Sequence, residues 1–365
     1  MAQNPQLEAA ILEQPNDAAR YAVYGDWLQA QGDPRGELVS VQAALASTKD
    51  TKRFLELKQT EQRLLEGVTA ELGDVRQVTF GWRYGFVNKV ELRLDVPQVT
   101  GAVTTLLKHP ALRFVQGVRS LLPGLDQTPV VEALIASPPP LLNRLELIMG
   151  GAKNLATFSA TFPRLEHFVM EGLEDMALDA KVLLGWPELR TLELSGLPLT
   201  DALAEVLRAA PWKKLRRVVL TPTSTRERAT LVDDVVAVLA LPELRHIGLS
   251  AYIDGAVTAV AKRPNLSALQ DLELFDFITN ERIEPLLARK DSIRQLKLVI
   301  HQGELAQDVE KQLRKAVKGL ALGDVEVFSN EEAGIHVMDA EEAKDYRERE
   351  ERLASRTDYN RDDWN

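Results

Sequence analysis

The sequence predicts an α/β solenoid, with a parallel sheet on its concave side and helices on its convex side, behind a small helical domain. Two observations carry this. From residue 87 onward the order apolar-x-x-apolar-x-apolar returns at spacings of 28, 27, 23, 24, 26, 29, 25, 24 and 29 residues. Helix-like stretches with their own stop signals lie between these returns. A unit of one strand and one helix cannot bury its apolar face alone, so such units stack into an array.

Composition bounds the rest. The chain has 365 residues, 45% of them hydrophobic, which is enough for a sizeable core. It has no cysteine. That excludes a disulfide scaffold, thiolate–zinc sites and cysteine-nucleophile mechanisms. The net charge of −10 is unevenly placed: residues 324–365 hold 14 acidic and 6 basic side chains, a net of −8. The remaining 40 acidic and 38 basic residues nearly cancel. A nucleic-acid binder draws on an excess of Lys and Arg, so this balance speaks against a nucleic-acid partner. The first twenty residues lack the basic-then-apolar order of a secretion signal, and no apolar run approaches the roughly 20 residues that span a bilayer. The expectation is a cytoplasmic protein with no membrane partner.

Residues 1–48 read as three short helices. Leu7, Ile11 and Leu12 form an apolar face on the first; Asp17 caps the second, where Tyr21, Tyr24, Trp27 and Leu28 share one side. Gly32, Asp33 and Pro34 end it, and Glu37 to Leu45 restart a helix. The run Tyr24-Gly25-Asp26-Trp27-Leu28, then Gly32-Asp33, then Arg35-Gly36-Glu37 resembles the repeat-companion domain found beside repeat arrays in myxobacterial and planctomycete proteins. The family usually has alanine where Gly25 stands. The resemblance implies a bacterial source and a neighbouring repeat array, and implies no chemistry. Asp26, Asp33, Arg35 and Glu37 are a carboxylate–arginine cluster that could hold a metal, or a salt-bridged helix–turn–helix. The second reading is preferred.

Residues 49–85 are expected to supply a capping helix, with Phe54, Leu57, Leu64, Leu65, Val68 and Leu72 on one stripe, and a lead-in through Trp82 and Tyr84. The array then runs over 86–328 in about ten repeats. Its first apolar positions are Val87, Val115, Leu142, Leu165, Leu189, Leu215, Leu244, Leu269, Ile293 and Leu322. Only Ser120 breaks the apolar pattern. Pro140, Pro163, Pro187 and Pro242 each stop a helix two residues before a strand begins its motif. The array resembles the leucine-rich-repeat superfamily. It departs at the slot where an asparagine or cysteine usually ties adjacent turns together, which here holds Leu173, Leu197 and Phe277. Residues 329–365 follow as an acidic helix and tail.

Catalytic motifs are missing. There is no phosphate loop, no GxGxxG and no HExxH, and Gly248-Leu249-Ser250-Ala251-Tyr252 lacks the last glycine of a nucleophile elbow. No cofactor and no metal site is expected, and the protein reads as a non-enzyme. The expected function is a protein-interaction adaptor or scaffold that holds a partner protein on the concave face. A dedicated regulator or inhibitor of one enzyme is the alternative. The residues expected on that face are Glu193, Arg217, Arg245, Glu273, Phe275, Lys297, Val299 and Phe328, with Phe275, Val299 and Phe328 exposed among charges. The basic run Lys213, Lys214, Arg216 and Arg217 reads as a solvated rim or as a dock for an acidic partner, the protein's own tail included. Tyr359 and Trp364 are the aromatics with which the tail would dock. Partner identity and oligomeric state are not legible.

Overall fold

The computed structural model describes residues 1–72, 77–93, 99–121, 126–172, 178–198, 200–223, 231–250 and 255–323. Four helices come first: α1 (Pro5–Glu13), α2 (Ala18–Ala30), α3 (Pro34–Ser47) and α4 (Thr51–Ala70). Their starts are set by side-chain caps. Asn4, Asp17, Asp33 and Asp50 each accept hydrogen bonds from backbone N–H groups that a helix leaves unpaired in its first turn. Gly32, at φ 71°, closes α2 in a left-handed conformation that a side chain would strain.

The companion-like motif is a packing device. Asp33 and Arg35 are both buried and joined by two hydrogen bonds, Nε to Oδ1 at 3.0 Å and Nη2 to Oδ2 at 2.8 Å. Asp33 also accepts from the Ala2 amide at 2.7 Å. The Arg35 guanidinium lies 5.2 Å from the centre of the Phe86 ring, on the first parallel strand. Gly36 lets α2 and α3 approach closely, since a Cβ there would sit 2.5 Å from the Gln29 nitrogen and the Gly25 oxygen. Gly25 has its own reason. A Cβ there would meet Val39 at 2.9 Å, so glycine at 25 and valine at 39 fit as a pair. Asp26 and Glu37 stay exposed. The four charges therefore do not converge, and the reading as a salt-bridged turn describes Asp33 and Arg35 alone.

Residues 49–85 hold more than a helix and a lead-in. After α4 comes a hairpin of β1 (Val78–Arg83) and β2 (Phe86–Leu92), paired antiparallel around Tyr84 and Gly85. Both turn residues have positive φ, 48° and 76°, as a tight hairpin requires. The tip rests on α3: the Gly85 amide donates to Gln42 Oε1 at 2.8 Å, and a Cβ on Gly85 would lie 2.6 Å from the Arg35 carbonyl. Ile11, Tyr21, Tyr24, Leu28 and Val39 then form one core with Phe86 and Phe114. The helical module thus covers the first turns of the array. On α4, Leu57 and Val68 are buried while Phe54 is exposed, so the expected stripe is only partly used.

The array continues as α5 (Val99–Leu107), β3 (Gly117–Leu121), α6 (Thr128–Ala136), β4 (Arg144–Ile148), α7 (Leu155–Thr161), β5 (His167–Glu171), a 3-10 segment (Ala180–Gly185) and β6 (Thr191–Pro198). It goes on through α8 (Asp201–Ala209), β7 (Arg217–Thr223), α9 (Leu231–Leu239), β8 (His246–Leu249), α10 (Ala256–Ala261) and β9 (Asp271–Thr279). Then come α11 (Asn280–Leu287), β10 (Lys297–Glu304), α12 (Gln307–Ala316) and β11 (Gly319–Leu322). The eleven strands form one sheet in sequence order, and every pair after the first hairpin is parallel. This is an α/β solenoid.

The repeated apolar positions are the core. Leu189, Leu192 and Leu194 are 0–3% exposed, and their counterparts in neighbouring repeats are equally sealed. Ser120, the polar exception, donates to Gln127 Oε1 at 2.6 Å, and Gln127 Nε2 donates to the Ile148 carbonyl at 2.9 Å. A glutamine reaching into the next repeat here does the tying that the missing asparagine would do. Elsewhere backbone groups suffice, as where Gly150 donates to Glu171 and Gly172 to Ser195, both at 2.9 Å. Leu197 is buried instead. Leu173 lies outside the described residues.

Eight of the ten expected strands begin within two residues of their expected positions. The last two do not. Leu298 and Ile300 pair with Leu272 and Leu274, so the motif in β10 stands two residues later than the sequence pattern placed it. In β11 Leu320 and Leu322 pair with Leu298 and Ile300, in place of the expected Leu322, Val325 and Val327. The slip has a cause: Ile293, Leu296 and Leu298 are apolar and buried and complete the pattern, whereas the register that the sheet uses opens on the exposed Gln295.

Candidate binding surface

Strand geometry alternates side chains between faces, so the residues between the core positions form the concave rows. Register aligns a third-slot row of Lys89, Gly117, Arg144, His167, Thr191, Arg217, His246, Asp271, Lys297 and Gly319. The fifth-slot row beside it is Glu91, Arg119, Glu146, Val169, Glu193, Val219, Gly248, Glu273, Val299 and Ala321.

Charges on these rows are cross-linked. In the first half Arg93, Glu91, Arg119, Glu146 and Arg144 make a ladder, with Arg93–Glu91 at 2.7 Å, Arg119–Glu91 at 3.7 Å, Arg119–Glu146 at 3.5 Å and Arg144–Glu146 at 2.5 Å. In the second half Arg217 bridges Glu193 at 2.7 Å and Glu273 at 3.4 Å. That span crosses β8, where Gly248 brings no side chain. Glu273 also faces His301 at 3.8 Å, and the His301 ring stacks on Phe275 with centroids 4.5 Å apart and planes 9° from parallel. Burial by itself would raise the Glu273 pKa. The His301 ring and the Arg217 guanidinium outweigh it and hold the carboxyl below its ordinary value. His246 Nδ1 meets Asp271 Oδ2 at 2.7 Å, and His167 Nδ1 lies 2.9 Å from the Thr191 hydroxyl.

Of the residues expected on this face, Glu193, Arg217, Glu273 and Phe275 come together in one cluster. Lys297 and Val299 lie one strand away, but in the third and fifth slots in place of the fifth and seventh. Phe275 and Val299 are half-buried, not exposed. Arg245 does not join them: its Nη1 turns back to the Pro242 carbonyl at 2.9 Å and to that of Leu244, on the rim. The basic run is divided as well. Lys213, Lys214 and Arg216 are exposed on the rim, Lys214 pairs with Glu188, and Arg217 belongs to the concave cluster. Phe328, Tyr359 and Trp364 lie outside the described residues. Sequence reasoning missed His301 because the register slip moved it off its row.

Among the described residues no group of three or more His, Asp or Glu side chains is arranged to hold a metal ion, and no helix is long and apolar enough to cross a membrane. No protein-family model matches the chain, and no curated protein matches it. Solved structures with some likeness include a Bacteroides fragilis protein, 14% identical over 75% of this chain and 84% of its own, with a TM-score of 0.47. TLR13 in complex with ssRNA13 is 17% identical over 65% of this chain and 38% of its own, with a TM-score of 0.36. An internalin of Listeria monocytogenes is 13% identical over 73% of this chain and 95% of its own, with a TM-score of 0.29. Likeness at these scores carries no argument. The solenoid rests on the strand order and register above.

Proposed function

We propose that the protein is a non-catalytic adaptor that holds a partner protein on its concave sheet. The observation that supports this is the chemistry of the two rows with the adjoining seventh slots. Among the described residues they hold six cations (Lys89, Arg93, Arg119, Arg144, Arg217, Lys297) and six anions (Glu91, Glu146, Glu171, Glu193, Asp271, Glu273). The face neutralises itself. Between the paired charges lie Val169, Thr191, Ser195, Val219, Gly248, Phe275 and Val299, a neutral and partly apolar centre. Such a surface selects a partner by shape and desolvated contact, with charges on the periphery setting register.

Self-neutralisation also separates this reading from nucleic-acid binding, which follows salt steeply through counterion release. The test is capture of a partner by the full chain, with nuclease present, at 50 and 300 mM salt. Ser195→Arg with Thr221→Arg, both half-buried at the centre of the concave face, should reduce capture at least about tenfold while melting stays within a degree or two. Glu205→Arg on the convex helix α8 should leave it unchanged. Capture that resists the concave variant, or that vanishes with nuclease, would contradict the proposal.

A further inference from the structure

Among the described residues the two ends of the sheet are finished differently. At the first end the β1–β2 hairpin and the helical module seal the edge. At the other, β11 pairs only with β10 among the described residues. Gly319 and Gly323 donate inward to Leu296 and Ile300. By alternation the N–H and C=O groups of Leu320 and Leu322 point outward, and Leu322 is 39% exposed. An open strand edge with an apolar side chain is a template for further pairing, and solenoid ends need covers. Beside it, α12 and the turn after it present Lys311, Lys315 and Lys318. All three are exposed, and none makes an ion pair among the described residues.

The chain continues from Gly323, at this edge, into residues 324–365 with their net charge of −8. That stretch also carries Ile335, Val337 and Leu353, apolar groups of the kind the edge lacks. We propose that residues 324–365 cover the open end of the solenoid in cis, on the β11 edge and against Lys311, Lys315 and Lys318. Tethering a few residues away gives an effective concentration on the order of millimolar, so weak contacts suffice. The rim at Lys213 and Lys214 is a poorer seat. It lies four strands away, roughly 19 Å across the sheet, and Lys214 already has Glu188. The inference does not depend on what the concave face binds.

Zero-length carbodiimide cross-linking of the full chain, with a mixture of isotopically light and heavy protein, tests it. The expected result is links within one chain from Lys311, Lys315 or Lys318 to carboxylates of 324–365. A full-length variant with Lys311→Glu, Lys315→Glu and Lys318→Glu should then lose at least about tenfold in amide-exchange protection at Leu320 and Leu322. Links to Lys213 or Lys214 would overturn the proposal in favour of the rim, and links between light and heavy chains in favour of a second copy. No links, with unchanged protection in the variant, would overturn it in favour of a solvated tail.

Discussion

Asp33→Ala should lower stability by about 3–5 kcal/mol in urea unfolding, because it strands the Arg35 guanidinium in a buried site. The side chains of the pair are 0–1% exposed, and Arg35 Nη1 already lacks a partner. The same change removes the cap of α3 and the acceptor for the Ala2 amide. The double variant Asp33→Ala with Arg35→Met should recover most of the loss, since an apolar side chain replaces an uncompensated charge. A single variant costing under about 1 kcal/mol would show that the pair is not the module's anchor. Acid should act in the same direction. Burial favours the neutral form of Asp33, but the Arg35 hydrogen bonds and charge outweigh it and leave the pKa below its ordinary value of 3.8. A depressed carboxylate contributes stability that is complete above its unfolded pKa and lost as the pH falls through its folded one. The helical module should therefore hold above about pH 4 and loosen progressively below it.

Leu298→Asp should cost more than about 4 kcal/mol, whereas Val299→Asp, one residue on, should cost under about 1 kcal/mol. Leu298 is fully buried between Leu272 and Leu320, and an aspartate there loses both packing and hydration. Val299 is half-buried on the opposite face. Because strand pairing joins each repeat only to its neighbours, the loss should concentrate in β9 to β11, visible as faster amide exchange there first. Equal costs at the two positions would mean that the register of β10 is wrong.

The fold was readable where one register alone satisfied the apolar pattern. From Leu142 to Leu269 the strands stand two residues after each expected first position, because core side chains recur only there. Around Ile293 the pattern pointed to the wrong register, because the one that pairs with β9 opens on the polar Gln295. The β1–β2 hairpin left a weaker trace. Tyr84-Gly85 lacks the usual asparagine or aspartate before glycine, so the positive φ at Tyr84 was not legible. The concave cluster was half-legible. Glu193, Arg217, Glu273 and Phe275 fall out of strand alternation, but the reach of Arg217 to Glu273 depends on the missing side chain of Gly248 on the strand between them. Arg245 stands one residue before His246, level with the exposed Arg216, so the register itself puts it on the rim, where two carbonyls lie within its reach.

The most direct test of the account is the amide-exchange footprint of a captured partner on the full-length protein. If the concave sheet is the binding surface, protection should rise across β5 to β10, centred on β7 and β8, while α7, α8 and α10 stay unchanged. Protection confined to the convex helices or to the helical module, with β7 and β8 exchanging as in the unbound protein, would contradict it.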